Sequence, residues 1–475
     1  MKPERILISE AMRQLPPEWS VDLLPDIRTL VEQTGAKLVV LDDDPTGSQT
    51  VWDIPLLMHW SCDALQMELE SDYPAFFILT NSRSLPTQQA EQVGAEIGRH
   101  LAEAGRRSGR KIAVVSRGDS TLRGHFPEEV DSLVAGLEVD FDAWLLIPTL
   151  HSAGRYTLGD IHYAAEGDWL VPVGQTSYAQ DGTFGYHSSN LREWVAEKTA
   201  GRIPADRVAS ISIEDIRLGG PQVVYQKLVA LPHGSVVVVN AASQRDFEVL
   251  VTGILFAEQQ GKKYIYRATA SFIPVRFGLE PYPLMDVQSL GLSENGGGLI
   301  IVGSYVPKTT EQVNVLRERG LAANVEVKVD RLLDPEGRFE EVRQAATQVD
   351  FAIRNNRNVL LYTSRRLVSG HDQSLNLQIG QQVSSGLVEI LHHLHERPRY
   401  IIAKGGITSH DIATKGLGVQ RALVMGQICQ GLSVWRLGPE TRYKDLLYIV
   451  FPGNIGGPNT LADVVEKLSN PLKGN

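Results

Sequence analysis

The chain has 475 residues, and at roughly 100 to 200 residues per domain that length predicts two or three domains rather than one. Hydrophobic residues make up 43% and charged residues 21%, which excludes wholesale disorder, collagen and coiled coil. Lys and Arg number 46 against 56 Asp and Glu, a net charge of -10, so a protein held to nucleic acid by phosphate neutralisation is disfavoured and no such partner is expected.

Short β-branched runs alternate with longer segments of helical period, which predicts an α/β fold: two α/β domains, each around a mainly parallel sheet, with an active site in the cleft between them. In the first half the pattern gives strands at Lys37 to Leu41, Ala75 to Thr80, Lys111 to Val115, Ala143 to Ile147 and Ser235 to Asn240. Helices fit Thr87 to Ala104, Glu128 to Leu137 and Ser243 to Gln260. The stretch from Gly154 to Asn190 is rich in Gly, Tyr, Ser and His without clear periodicity and reads as a long loop, of the kind that often binds ligands. Pro281, Pro283, Ser289, Gly291, Ser293 and Gly296-Gly297-Gly298 then crowd together as in a hinge. The junction is placed near 285 to 297, giving an N-terminal domain over 1–290 and a C-terminal domain over 291–475. Beyond it, strands are read at Gly298 to Val302, Val325 to Val329, Val359 to Tyr362, Tyr400 to Ala403, Ala422 to Met425 and Leu447 to Phe451. Helices fit Thr309 to Arg319, Phe339 to Arg354, Leu375 to His395 and Thr460 to Leu468. The apolar runs are strand-sized, far short of the roughly 20 residues that span a bilayer, so no membrane partner is expected. The N-terminus lacks the apolar core of a secretory signal. With Cys62 and Cys429 alone there is neither a disulfide framework nor a four-thiolate zinc site, and the cytoplasm is the simplest compartment.

The first strand runs into Asp42-Asp43-Asp44-Pro45-Thr46-Gly47. In open α/β sheets ligands bind beyond the carboxyl ends of strands, and adjacent carboxylates are tolerated where a metal, a sugar hydroxyl or a basic partner answers them. A solvated acidic turn with Asp44 as a cap is the plain alternative. After the third strand comes Ser116-Arg117-Gly118-Asp119-Ser120-Thr121-Leu122-Arg123-Gly124-His125. Arginine forks grip carboxylates, so Arg117 and Arg123, joined by Arg83 from the loop after the second strand, suit a small acidic substrate. Asp119 is placed to take a proton from a hydroxyl, with Asp44 as its rival; an Arg117–Asp119 ion pair of purely structural meaning is the alternative.

In the second half, Lys404-Gly405-Gly406-Ile407-Thr408-Ser409 is a strand end followed by glycines and a hydroxyl-rich helix start. Phe451-Pro452-Gly453-Asn454-Ile455-Gly456-Gly457 repeats the design, and Gly303-Ser304 makes a third turn. Glycines let backbone amides approach phosphate, although the order of Lys and Gly is wrong for a Walker A loop. His392, His393 and His395 read as a polar helix face rather than metal ligands.

Taken together, Asp43-Asp44-Pro45-Thr46-Gly47, Asp119-Ser120-Thr121-Leu122-Arg123-Gly124, Lys404-Gly405-Gly406-Ile407-Thr408-Ser409 and Gly453-Asn454-Ile455-Gly456 give a chain that resembles the four-carbon acid sugar kinase family from about Leu38 to the C-terminus. The resemblance implies an N-terminal domain that binds a sugar acid and a C-terminal domain that binds ATP, with Mg²⁺, closing on each other for phosphoryl transfer. It implies that Asp43, Asp44, Arg83, Arg117, Asp119, Ser120 and Arg123 belong to the acid site. Ser304, Lys404, Gly405, Gly406, Ile407, Thr408, Ser409, Gly453, Asn454 and Gly456 would face the nucleotide. The departures lie in the acid half: Pro45 stands where members tend to have a hydrophobic residue, Arg117 where they tend to have Lys, Ser48-Gln49-Thr50 follows the glycine, and about thirty residues precede the first strand. Two other classes remain open. One is a haloacid-dehalogenase-like phosphatase, whose strand-Asp-x-Asp-x-Thr signature is met by Leu41-Asp42-Asp43-Asp44-Pro45-Thr46. The other is a non-catalytic nucleotide or sugar-acid binding protein. Oligomeric state, including a homo-oligomer, is not written in the sequence.

Overall fold

The computed structural model describes residues 3–280, 283–293, 295–365 and 373–469. The chain forms two compact units, Met1–Thr50 with His59–Pro281, and Val51–Met58 with Tyr282–Asn475. Of the hinge residues read from sequence, Pro281 lies outside the described residues.

In the first unit seven strands make one parallel sheet in the order Ala209–Ile211, Ser235–Val239, Ala143–Ile147, Tyr264–Ala268, Ile112–Arg117, Lys37–Asp42, Ala75–Leu79. The central strands are apolar through their middles because helices cover both faces of such sheets; every residue of Lys37–Asp42 and Ala75–Leu79 is buried. Helices Thr87–Ser108, Glu128–Leu137 and Gln244–Gln259 stand where periodicity puts them. The last opens on a capping box in which Ser243 and Asp246 bond each other's backbone amides, two orphan donors satisfied at once.

The stretch after Gly154 is not the loop expected of it. Arg155–Leu158, Ile161–Glu166 and Trp169–Pro172 form an antiparallel meander, extended by Ile6–Leu7. Its turns are the two-residue pairs Gly159-Asp160 and Gly167-Asp168. Gly159, Asp160 and Gly167 all have positive φ (57°, 64° and 58°), the backbone that tight hairpins require. These Gly-Asp pairs were the signal; the aromatic and histidine content between them obscured the alternation.

The second unit has an eight-stranded mixed sheet. Ile54–Leu57, Arg421–Cys429, Leu432–Leu437 and Leu447–Phe451 pair antiparallel in turn. Tyr400–Lys404, Leu299–Val302, Val359–Thr363 and Ala323–Val327 then continue it in parallel. The strand Ile54–Leu57 comes from the N-terminal part of the chain, an excursion the sequence reading does not anticipate. Among the described residues no helix is long and apolar enough to cross a membrane, and Cys62 and Cys429 are free thiols.

Candidate functional site

Strand register builds the acidic cluster. Asp42 and Arg117 are the last residues of neighbouring parallel strands and lie side by side, so Arg117 Nη1 donates to Asp42 Oδ1 at 3.0 Å and to Asp43 Oδ1 at 3.3 Å. Arg83 closes on the same loop from the next strand end. Its Nη2 and Nε donate to the two oxygens of Asp43 at 2.5 and 3.2 Å, and its Nη1 lies 3.4 Å from Asp44 Oδ2. The Arg83 and Asn81 loop is also tied by backbone: Arg83 N donates to Asp43 O, and Thr80 N and Asn81 N to Asp42 O. Arg117 therefore pairs with the acidic loop and not with Asp119. Together Arg83 and Arg117 answer the repulsion among three adjacent carboxylates.

The three aspartates do different work. Asp42 is pushed up to about 7: burial dominates, and the charges of Asp43 and Asp44 outweigh part of the help from Arg117. It has no room for a ligand, because a Cβ on Gly47 would stand 2.0 Å from Asp42 Oδ2; only glycine fits over it. Asp43 spends both oxygens on arginines and has a third guanidinium, Arg267, at 4.0 Å. Asp44 is the most accessible, its side chain 23% exposed. Burial works against its charge, but Arg83, Arg117 and bonds from Thr46 prevail and hold it below the usual carboxylate range.

A second loop, residues 118–124, lies beside this cluster. Asp119 accepts from Arg123 Nε at 2.7 Å and from the Thr121 hydroxyl. It stays well below the usual carboxylate range: burial opposes ionisation, but Arg83, Arg123 and these bonds overcome it. The rest of the Arg123 fork lies over the Tyr178 ring, its Cζ 5.2 Å from the centroid, and neither Nη donates a hydrogen bond to a described residue. The loop is held from behind by Tyr186 Oη donating to Thr121 O at 2.7 Å. His162 Nε2 is 2.7 Å from Ser120 O. Burial lowers His162 to about 4, so it is neutral near pH 7, with its proton on Nε2 toward the carbonyl and Nδ1 accepting from Thr157 Oγ1 at 3.0 Å. Ser120, read from sequence as a ligand contact, is itself buried.

Sequence reasoning missed Arg267, His162, Tyr178 and Tyr186. Arg267 donates to Ser116 Oγ at 2.7 Å and Glu129 Oε2 at 2.9 Å, and packs so closely under Gly118 that a Cβ there would lie 2.6 Å from its Cζ. Its strand, Tyr264–Ala268, follows the helix Gln244–Gln259, where an α/β repeat demands a strand; that was the available signal.

In the second unit the glycine loops leave three strands that are neighbours in the sheet, Leu299–Val302, Tyr400–Lys404 and Leu447–Phe451. Ser304 Oγ is 3.2 Å from Thr309 Oγ1, which donates to Gly453 O at 3.0 Å. Gln312 Nε2 holds Ile455 O and Gly457 O at 3.1 and 2.8 Å, and Lys308 Nζ reaches Asn454 O at 3.3 Å. Arg365 Nη1 donates to Ser304 O at 2.6 Å. Gly405, at φ 113°, opens the helix Gly406–Asp411; Thr408 and Ser409 are buried and Ile407 is exposed. Ser409 Oγ donates to Ala403 O at 2.8 Å. Lys404 is fully buried: its Nζ sits 3.7 Å from the Phe451 ring centroid and donates to Pro452 O at 3.1 Å, and burial, with the Lys308 charge, lowers it to about 7. It braces the Gly453 loop from below rather than facing outward. Thr309, Lys308, Gln312 and Arg365 were not foreseen.

One consequence concerns stability. Asp42 binds its proton more tightly folded (about 7) than unfolded (3.8), so between about pH 4 and 7 the folded state carries the extra proton and this group's contribution falls as pH rises. His162 has the opposite slope between about 4 and 6.5, so the informative quantity is a difference. Asp42→Asn should gain stability relative to wild type as pH rises from 4 to 7 and hold that gain above it. Urea melts of both proteins at pH 4.5, 6 and 8 measure this, and a pH-independent difference refutes it.

Fold and loops define a two-domain α/β protein with a charged rim on one unit and glycine loops on the other. Residues 38–275 match the sugar-binding N-terminal domain family and residues 299–461 the nucleotide-binding C-terminal domain family. The chain belongs to this family of paired sugar-binding and nucleotide-binding domains. Among solved structures it is similar to Haemophilus influenzae protein HI1011, of a family of unknown function, at 17% identity over 91% of this chain and 100% of that one, with a TM-score of 0.62. It is also similar to a Salmonella typhimurium LT2 protein provisionally described as a tRNA synthase, at 16% identity over 91% and 98%, TM-score 0.66. At these identities the likeness is one of fold. No curated protein matches the chain.

Proposed function

We propose that the protein is an ATP-dependent kinase that phosphorylates a hydroxyl of a four-carbon sugar acid of the threonate, erythronate or 3-oxo-tetronate type. The observation that carries this reading is the presence, in a sugar-binding unit, of a partly open guanidinium, Arg123, paired with the ionised Asp119, and of a second ionised carboxylate, Asp44, held by Arg83, in a chain whose other half matches a nucleotide-binding family. Arg123 supplies a fork for the acid's carboxylate. Asp119 and Asp44 accept hydrogen bonds from its hydroxyls, and one of them orients the attacking oxygen. The loops at Ser304, 405–409 and 453–456 offer backbone amides to the phosphates. Phosphoryl transfer needs little covalent help from the protein beyond such positioning and charge. Among the described residues no three His, Cys, Asp or Glu side chains gather as a metal cage. In this reading the magnesium ion arrives on the nucleotide phosphates, as Mg-ATP.

The phosphatase reading fares worse on the geometry. Its nucleophile would be Asp42, which is 1% exposed, lies under Gly47 and is engaged by Arg117. The test is a screen of tetronic acids and their oxo forms with Mg-ATP, following ADP. Acid-dependent ADP formation is expected. Phosphate release from phosphoesters without ATP means a phosphatase, and saturable binding without turnover means a binding protein.

A nucleotide test follows from Gly406. A Cβ there meets nothing within 4 Å, so the fold tolerates Gly406→Val, while a branched side chain at the loop surface obstructs an approaching phosphate. Gly406→Val should weaken ATP binding at least tenfold and leave acid binding and the melting temperature nearly unchanged. Unchanged ATP affinity by calorimetry removes this loop from the nucleotide site.

A further inference from the structure

Below the 118–124 loop lies a cavity of about 10 Å³, lined by Gly118, Asp119, Leu122, Arg123, Trp194 and Arg267, with Leu146 and Pro148 in its wall. That is room for about one water-sized oxygen. Trp194 comes from the helix Leu191–Lys198, is 2% exposed and stacks on Phe126 with centroids 4.8 Å apart. Its Nε1 has no hydrogen-bond partner among the described residues. A buried indole N–H is a donor and nothing else, and leaving it unpaired is costly. The lining thus combines a donor that lacks an acceptor, the Trp194 indole, with a carboxylate acceptor, Asp119. Arg267 gives its Nη1 to Ser116 and Glu129, and the ionised Asp119 in the lining repels a second carboxylate at this point. A group that accepts from Trp194 and donates to Asp119 is a hydroxyl.

We propose that this cavity is a subsite for one non-reacting hydroxyl of the substrate acid, with Trp194 as a specificity-determining residue. The proposal rests on the kinase reading and deepens it: the acid is recognised by a carboxylate at the Arg123 fork and by one particular hydroxyl, which makes the site selective among isomers and deoxy forms of equal charge. A site built to hydrogen-bond a hydroxyl rejects the analogue that lacks it, because its own buried groups are left unpaired.

The experiment compares wild type and Trp194→Phe on the best tetronic acid from the screen and on its monodeoxy analogues. In wild type one analogue that retains the phosphorylated hydroxyl should lose about tenfold or more in kcat/KM, about 1.4 kcal/mol. In Trp194→Phe the parent acid should fall by a similar factor and that analogue should fall no further. Equal discrimination by both proteins overturns the proposal and assigns the cavity to a resident water. Because Trp194→Phe could fail to fold, the assigned Trp194 indole N–H resonance of wild type gives a second readout. It should shift when the parent acid is added and stay in place with the deoxy analogue; no shift with the parent overturns the proposal. If no acid is phosphorylated but this resonance still responds to the acid alone, the kinase reading fails and the subsite stands.

Discussion

Asp119→Asn should lower kcat by about 10²-fold or more at saturating Mg-ATP and acid, with both ligands still bound. Asparagine keeps the shape and an oxygen for Thr121 and Arg123, so what is lost is the charge facing the attacking hydroxyl, and removing a positioned base typically costs that much. Although burial opposes it, Arg83, Arg123 and the Thr121 hydroxyl keep Asp119 ionised far below neutrality. So strongly held a carboxylate serves mainly to orient a hydroxyl, which suits a loose transfer in which the proton leaves late. Asp119 and Asp44 should then contribute no acidic limb to the kcat profile between pH 5 and 8, since neither changes charge there, and any limb near 7 should vanish in Asp42→Asn or trace to Lys404. Asp44→Asn should chiefly raise KM. If instead Asp44→Asn loses turnover at normal affinity and Asp119→Asn loses only affinity, the two roles are exchanged.

The frame of both units was legible because parallel strands buried on two faces are continuous apolar runs. Lys37–Asp42, Ala75–Leu79 and Leu447–Phe451 are such runs, and the loops at their carboxyl ends are where α/β sheets bind ligands. What escaped were elements whose burial is one-sided or whose pattern is broken. Leu432–Leu437 carries a polar Ser and Arg inside an antiparallel hairpin, and the Gly154 meander hides behind aromatic and polar residues. Partnership within the site was less legible than membership. Asp42 and Arg117 are 75 residues apart and meet only through the register of two strands, so Arg117 looked free to bind substrate or to pair with its near neighbour Asp119. Lys404 shows the same limit: adjacency to Gly405 suggests phosphate, yet strand alternation turns its side chain inward onto Phe451.

Arg123→Ala should raise the KM for the acid by roughly 30-fold, about 2 kcal/mol, with ATP affinity unchanged. Arg83 and Arg117 already answer Asp42, Asp43 and Asp44. Arg123 is the rim arginine of the three whose Nη groups donate to no described residue, with Asp181 no nearer than 3.8 Å. Its side chain is 30% exposed, so solvent screening puts the loss near the low end for a charge-assisted pair. The substitution also strips Asp119 of its Nε donor, and Arg123→Lys separates the two effects. Lysine restores a cation beside Asp119 but not the planar fork, so it should recover kcat more fully than KM. Arg83→Ala, by contrast, leaves the buried Asp43 without its bidentate partner and should show first as a loss of stability. A neutral alditol that turns over as well as the acid, or an Arg123→Ala enzyme with wild-type KM, removes the carboxylate from this fork.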